Sequence, residues 1–251
     1  MIWRKIPYYC DAIVRLFLGR PGNIYAILAI LLGREATITL SESFRITLSQ
    51  PLDLLILKET VYDDPYGFRS LDRPKHVIDV GGGAGDTALF LCSLFPTCRV
   101  SVCEPNPLSL SLLKKNITQN GANEQISLSP YAIGTKKSID FYIATSNVMS
   151  STRSYAASQK KVRVKGLPLS QLISGPVDYL KIDCEGSELD VLQSISPTQW
   201  KYLSRIGLEY HRHIVPNQDD ILQEYLEKQG FIVRKVPDAY NEAIGYLLAT
   251  R

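Results

Sequence analysis

The stretch HVIDVGGGAGD, His76 to Asp86, decides the fold of this chain. Val77, Ile78 and Val80 run into Gly81, Gly82, Gly83 and Gly85, and from Thr87 the spacing of Leu89, Phe90, Leu91, Leu94 and Phe95 predicts a helix. The pattern is a buried strand, a tight glycine turn and a helix start. Such a turn can take positive φ and lie close to a ligand, in front of a helix end with unpaired N–H groups. A dinucleotide fingerprint requires glycine at its first, third and sixth positions, and the sixth counted from Gly81 is Asp86. A phosphate-binding P-loop ends in Gly-Lys-Ser/Thr, which Ala84, Gly85, Asp86 and Thr87 do not supply. Asp79, just before the turn, repels a phosphate and suits a cation.

A ligand with an ammonium and a sulfonium, a nucleoside and no phosphate is S-adenosylmethionine. Asp79, Gly81, Gly83 and Gly85 match Asp-x-Gly-x-Gly-x-Gly, so the stretch resembles the first motif of the class I methyltransferases. An unrelated α/β protein can carry the same local signature. The rest of the chain has to decide.

The chain has 251 residues, 45% hydrophobic and 21% charged, a composition that fits a globular protein rather than a disordered one. One α/β domain, residues 51–251, is expected behind an N-terminal helical segment and β-hairpin, residues 1–50. A formal net charge of +3 demands no nucleic-acid partner, and none is expected. The five cysteines (Cys10, Cys92, Cys98, Cys103, Cys184) are odd in number and lack Cys-x-x-Cys spacing, which points to reduced thiols and a cytoplasmic chain.

Ile6 to Leu18 and Ile24 to Leu32, separated by Arg20-Pro21-Gly22, read as two short helices. The second run is shorter than the roughly 20 apolar residues a bilayer span needs. A cleavable signal is not expected, because Gly33-Arg34-Glu35 leads straight into the fold without a small-residue cleavage site. Two roles stay open for this segment: a lid or homodimer contact, and peripheral attachment to the cytoplasmic face of a membrane.

Ala36 to Leu40 and Phe44 to Leu48 alternate around Ser41-Glu42-Ser43 as a hairpin, and Leu52 to Val61 reads as a helix. Beyond the organising strand, strands are expected at Arg99 to Glu104, Gln125 to Ile133, Val177 to Ile182 and Arg205 to Tyr210, with helices between them. Ile139 to Ile143 and Val162 to Val164 are added strands around a polar loop. Asn217 is placed to cap a helix ending at Gly230, and Phe231 to Val236 and Ala243 to Ala249 form a last strand pair. The fold expected is α/β: a Rossmann-like, doubly wound, mainly parallel sheet with an antiparallel last strand.

Glu104 ends its strand about 20 residues past the turn, where a carboxylate can accept both ribose hydroxyls. Ala132 and its neighbours can form an apolar slot for an adenine. In KIDCEGSE, Lys181 to Glu188, an apolar strand ends in Asp183-Cys184-Glu185-Gly186, and the next strand ends in Glu209-Tyr210-His211. Adjacent strand ends thus bring Asp183, Glu185, Glu209 and His211 to one crevice. Glu185 can alternatively cap the following helix, and His76 and His213 read as surface or loop histidines.

DVGGGAG, EPNP (Glu104 to Pro107), AIG (Ala132 to Gly134), KIDCEG and LEYH (Leu208 to His211) occur in the order and spacing of the FkbM-type methyltransferases, which this chain resembles from about Leu52 to His211. Gly82-Gly83 departs from the Ala-Asn common in that family and removes whatever contact the Asn side chain makes. The resemblance implies S-adenosylmethionine as cofactor, bound by Asp79, the glycine turn (Gly81, Gly82, Gly83, Gly85), Glu104, Ala132 and Asp183. It also implies O-methylation of a small-molecule or glycan hydroxyl. An alcohol is a weak nucleophile, so a base is useful: His211 has the unperturbed pKa nearest neutrality, and Asp183 is its rival, with Glu209 and Glu185 beside them. A divalent ion, magnesium or manganese, held by Asp183, Glu209 and His211 is the other way to acidify the hydroxyl.

Overall fold

A computed structural model describes residues 6–143, 160–238 and 241–251. Helices α1 (Ile6–Gly19) and α2 (Ile24–Leu31) precede a hairpin, β1 (Ala36–Ser41) and β2 (Phe44–Leu48), and helix α3 (Pro51–Lys58). Asp53 fixes the start of α3 by accepting from the Ser49 and Gln50 amides at 2.9 Å. The helix expected to reach Val61 changes after Lys58 into a π-helical turn, Glu59–Asp63, closed by Asp64 in the left-handed region.

The organising stretch forms β3 (His76–Val80) and α4 (Asp86–Leu94), followed by β4 (Arg99–Cys103), α5 (Pro107–Gln119) and β5 (Ile126–Ser129). Pro130 interrupts what the sequence suggested was one strand from Gln125 to Ile133, because proline has no N–H for the ladder. Ala132 therefore belongs to a separate strand, β6 (Ala132–Ile133), in a small sheet of order β6-β8-β7 with β7 (Ser138–Ile143) and β8 (Lys160–Leu167). The polar loop expected between β7 and β8 falls largely at 144–159, outside the described residues. The chain ends with β9 (Tyr179–Ile182), α6 (Glu188–Gln193), β10 (Arg205–His211), α7 (Gln218–Lys228), β11 (Ile232–Pro237) and β12 (Ile244–Thr250).

The main sheet runs β11-β12-β10-β9-β3-β4-β5, parallel from β10 to β5, with β12 antiparallel to both β10 and β11. Strand order reverses at β3, so the ends of β3, β4, β9 and β10 open on one crevice. Alternation along β3 sends Val77 into the core on one face and Ile78 and Val80 into the core on the other. The first core is shared with the N-terminal segment: Leu16, Ile27 and Ile30 pack with hairpin residues Ile38 and Ile46 and with Leu54, Phe90 and Leu113. Buried Asn23 ties the helix pair to the hairpin, donating to the Leu16 and Thr39 carbonyls and accepting the Thr39 amide. Buried Asn116 of α5 bonds both backbone groups of Thr47 and donates to the Ala84 carbonyl at 2.8 Å, joining hairpin to glycine turn.

Candidate active site

The glycine turn is shaped by close backbone approach. Gly81 has φ +89°, and a Cβ there would lie 1.8 Å from the Asp183 carbonyl oxygen, so no side chain fits between β3 and β9. Gly85, at φ +93°, starts α4. Lys181 stitches the turn to the sheet: its Nζ donates to the Gly81 carbonyl at 2.8 Å and lies 3.1 Å from Asp79 and 3.8 Å from Asp183. Burial pushes the Asp79 carboxyl up to about 6, opposed by the Lys181 ammonium.

Glu104 holds the other side of the turn. Its two oxygens accept from the Gly83 amide at 2.8 Å and the Asn106 amide at 2.7 Å, and burial pushes its pKa to about 7 against those two bonds. Each oxygen keeps acceptor capacity for a ribose hydroxyl.

A cavity of about 740 Å³ runs across the strand ends, within the range typical of cofactor sites. Gly81, Gly83, Glu104, Ala132 and Asp183 line it. Asp79, Gly82 and Gly85 do not: Asp79 is fully buried against Lys181, and Gly82 is pressed on Val102. Their place in a cofactor site is to set the turn, and the cation read into Asp79 from the sequence is Lys181.

All four expected reactive side chains meet at the same wall. His211 Nε2 lies 3.6 Å from Glu185, 3.8 Å from Glu209 and 3.9 Å from Asp183, and it makes no hydrogen bond among the described residues. Its Nδ1 is 3.3 Å from Glu188, and its backbone amide donates to Gln218 Oε1. Glu188 is wholly buried and accepts from the Cys184 and Gly186 amides at 3.1 and 3.0 Å and from the Gln218 side chain. Glu188, the first residue of α6, thus holds the turn before the helix rather than capping it, and Glu185, at φ +49°, lines the cavity. Asn217 makes no side-chain cap; it takes a left-handed conformation and hands α7 over to Gln218.

Burial draws the His211 imidazole down, but Glu188, then Glu209 and Glu185, override it and hold the pKa well above the ordinary histidine value. Burial raises Glu185 to about 7 and Glu209 well above the carboxylate range, the latter also through Asp183. The cluster therefore retains protons near neutrality and is poised to exchange them.

Several wall residues were not legible in the sequence. Tyr8 of α1, Glu59 and Thr60 of the π-helical turn, and Tyr66 and Tyr246 also line the cavity, with Tyr8 bonded to Glu59. His213 is an exposed turn residue, as expected, yet lines the cavity 5.8 Å from the His211 ring. His76 lies at the start of β3, 3.0 Å from Ser101, and is absent from the cavity wall.

Residues 79–233 match the methyltransferase FkbM domain model, a span that holds the glycine turn, Glu104, Asp183 and His211. The chain belongs to the FkbM methyltransferase family. It is an S-adenosylmethionine-dependent class I methyltransferase. It is similar to methyltransferase 1 of Beauveria bassiana (strain ARSEF 2860), 23% identical over 211 residues that cover 71% of this chain and 80% of that one. Its fold is similar to the crystal structure of methyltransferase FkbM from Methylobacillus flagellatus KT, with a TM-score of 0.56 at 15% identity, covering 98% of this chain and 59% of that one.

Proposed function

We propose that this FkbM methyltransferase transfers a methyl group to a hydroxyl of a sugar, glycan or natural product. The observation that carries the proposal is His211: a buried imidazole at the cavity wall whose Nε2 makes no hydrogen bond among the described residues and whose Nδ1 lies 3.3 Å from Glu188. A hydroxyl has to lose its proton as it attacks, so it benefits from a positioned base in a way that an already nucleophilic neutral amine does not. The end of β9, Asp183-Cys184-Glu185-Gly186, also differs from the Asn/Asp-Pro-Pro-Tyr/Phe strand end used for amino-group transfer.

S-adenosylmethionine supplies an electrophilic methyl on a sulfonium. The chain's residues fit it: Glu104 faces the cavity with acceptor capacity for the ribose, the Gly81–Gly83 backbone admits close approach, and Asp183 suits the cationic methionine end. The acceptor oxygen has to be held in line with that methyl, and Asp183, Glu209 and His211 can orient its hydroxyl from neighbouring strand ends. His211 is a base only when Nε2 is unprotonated. A positive charge bound beside it opposes the imidazolium and favours that form. The hydroxyl proton then passes to Nε2, and Glu188 stabilises the imidazolium that results.

One observation favours a second reading. Asp183, Glu209 and His211 each offer a ligand atom within 4.8 Å of the others, a set that suits a divalent ion, and an imidazole beside two carboxylates suits manganese better than magnesium. Chelation separates the two readings: turnover unchanged by a chelator keeps His211 as base, whereas turnover lost and then restored by manganese transfers the role to an ion.

The proposal is tested with methyl-labelled S-adenosylmethionine and a panel of glycosides, natural-product alcohols, amines and proteins. A labelled ether is the expected product. Label found only on an amine or a protein would sink the hydroxyl assignment.

A further inference from the structure

Helices α1 and α2 bury one face each and turn the other outward. Ala12 and Leu16 of α1 and Ile27 and Ile30 of α2 are fully buried, and both helices pack on α3. Apart from Arg15, the outward residues are mostly apolar. Val14 and Leu18 on α1 are 49% and 70% exposed, and Tyr25 and Leu32, on and just after α2, are 81% and 74% exposed. Most of the large apolar side chains exposed among the described residues fall between Val14 and Leu32, so the exposure is confined to one segment rather than scattered. The core requirement does not explain it, because the inward stripe already meets it.

The charge around this face selects what covers it. Arg20 precedes the short turn that leads into α2 and Arg34 follows that helix; both are exposed. The acids of the segment are already engaged: Asp11 with Arg15 and Lys58, and Glu35 with Lys115. An apolar face bracketed by arginines matches an anionic lipid surface, where apolar side chains enter the acyl boundary and guanidinium groups stay among the headgroups. A second copy of the chain matches it less well, since a twofold contact across the patch brings the same arginines towards each other. No helix among the described residues is long and apolar enough to cross a membrane, so the contact is peripheral.

We infer that the outer face of the α1–α2 pair docks this enzyme on an anionic membrane surface. The inference does not rest on the acceptor assigned above. Because Tyr8 of α1 lines the active-site cavity, the same helix that meets the lipid also forms part of the cavity wall.

The test uses the full chain with sucrose-loaded vesicles of phosphatidylcholine alone or mixed with phosphatidylglycerol. The chain should sediment with the mixed vesicles and less with the neutral ones, and raised salt should release it. The exposed-site variant Leu18→Glu/Leu32→Glu should lower the vesicle-bound fraction by about tenfold or more while keeping cofactor affinity and transfer to a soluble acceptor. Arg20→Glu/Arg34→Glu should bring binding on mixed vesicles down to the neutral-vesicle level. Wild-type protein left in the supernatant, equal binding to both vesicle types, or unchanged binding by Leu18→Glu/Leu32→Glu would overturn the inference. So would a dimer, seen by light scattering, that the same variant converts to monomer.

Discussion

The Glu188 carboxylate lies 3.3 Å from His211 Nδ1, with Glu188 fully buried and anchored by the Cys184 and Gly186 amides. That contact raises the His211 pKa and directs Nε2 to the cavity. Glu188→Gln keeps the shape and removes the charge, so the imidazolium loses its main support. The acid limb of the pH–rate profile, set by deprotonation of His211, should move to lower pH. Turnover should also fall, by less than the about 10²- to 10⁴-fold that loss of a base costs. An unmoved limb in the Glu188→Gln profile would show that this pair does not control the titration.

Lys181 and Asp79 are both buried, and removing the cation leaves a carboxylate without compensation. Lys181→Met should lower stability in urea by about 3–5 kcal/mol, and Asp79→Asn added to it should recover much of the loss. A single-variant loss under about 0.5 kcal/mol, the level of an ordinary surface change, would mean the pair does not organise the turn.

In the proposed cofactor site Glu104 would accept the ribose hydroxyls best as a carboxylate, and its pKa is raised to about 7. A raised carboxyl regains its proton as pH falls through that value, so cofactor affinity should drop from about pH 8 to about pH 6. Glu104→Gln should bind more weakly at pH 8 and lose that dependence, which titration calorimetry reads directly. Equal affinity of the two proteins at both pH values would remove Glu104 from the cofactor site.

Strand ends were the legible part of this site. Glu104, Asp183, Glu209 and His211 could be placed together from the sequence because parallel strands deliver their last residues to one edge, and the structure puts them there. Glu188 was hidden because an acid at a helix start already has a local explanation in the helix dipole. Lys181 reads as one more strand residue until β9 pairs with β3 and sets it against Asp79. Tyr8 and Glu59 reach the cavity only through the packing of α1 on α3, a tertiary relationship with no periodic signal. The break at Pro130 was visible in the sequence, but reading Gln125 to Ile133 as one strand passed over it.

In the proposed mechanism His211 moves the acceptor's proton rather than holding the cofactor, and His211→Ala separates the two roles when cofactor affinity and methyl transfer to a hydroxyl acceptor are measured on the same folded protein. The expected result is affinity within a few-fold of wild type and transfer slower by about 10²- to 10⁴-fold. Transfer surviving within a few-fold, or lost only in proportion to cofactor affinity, would contradict it.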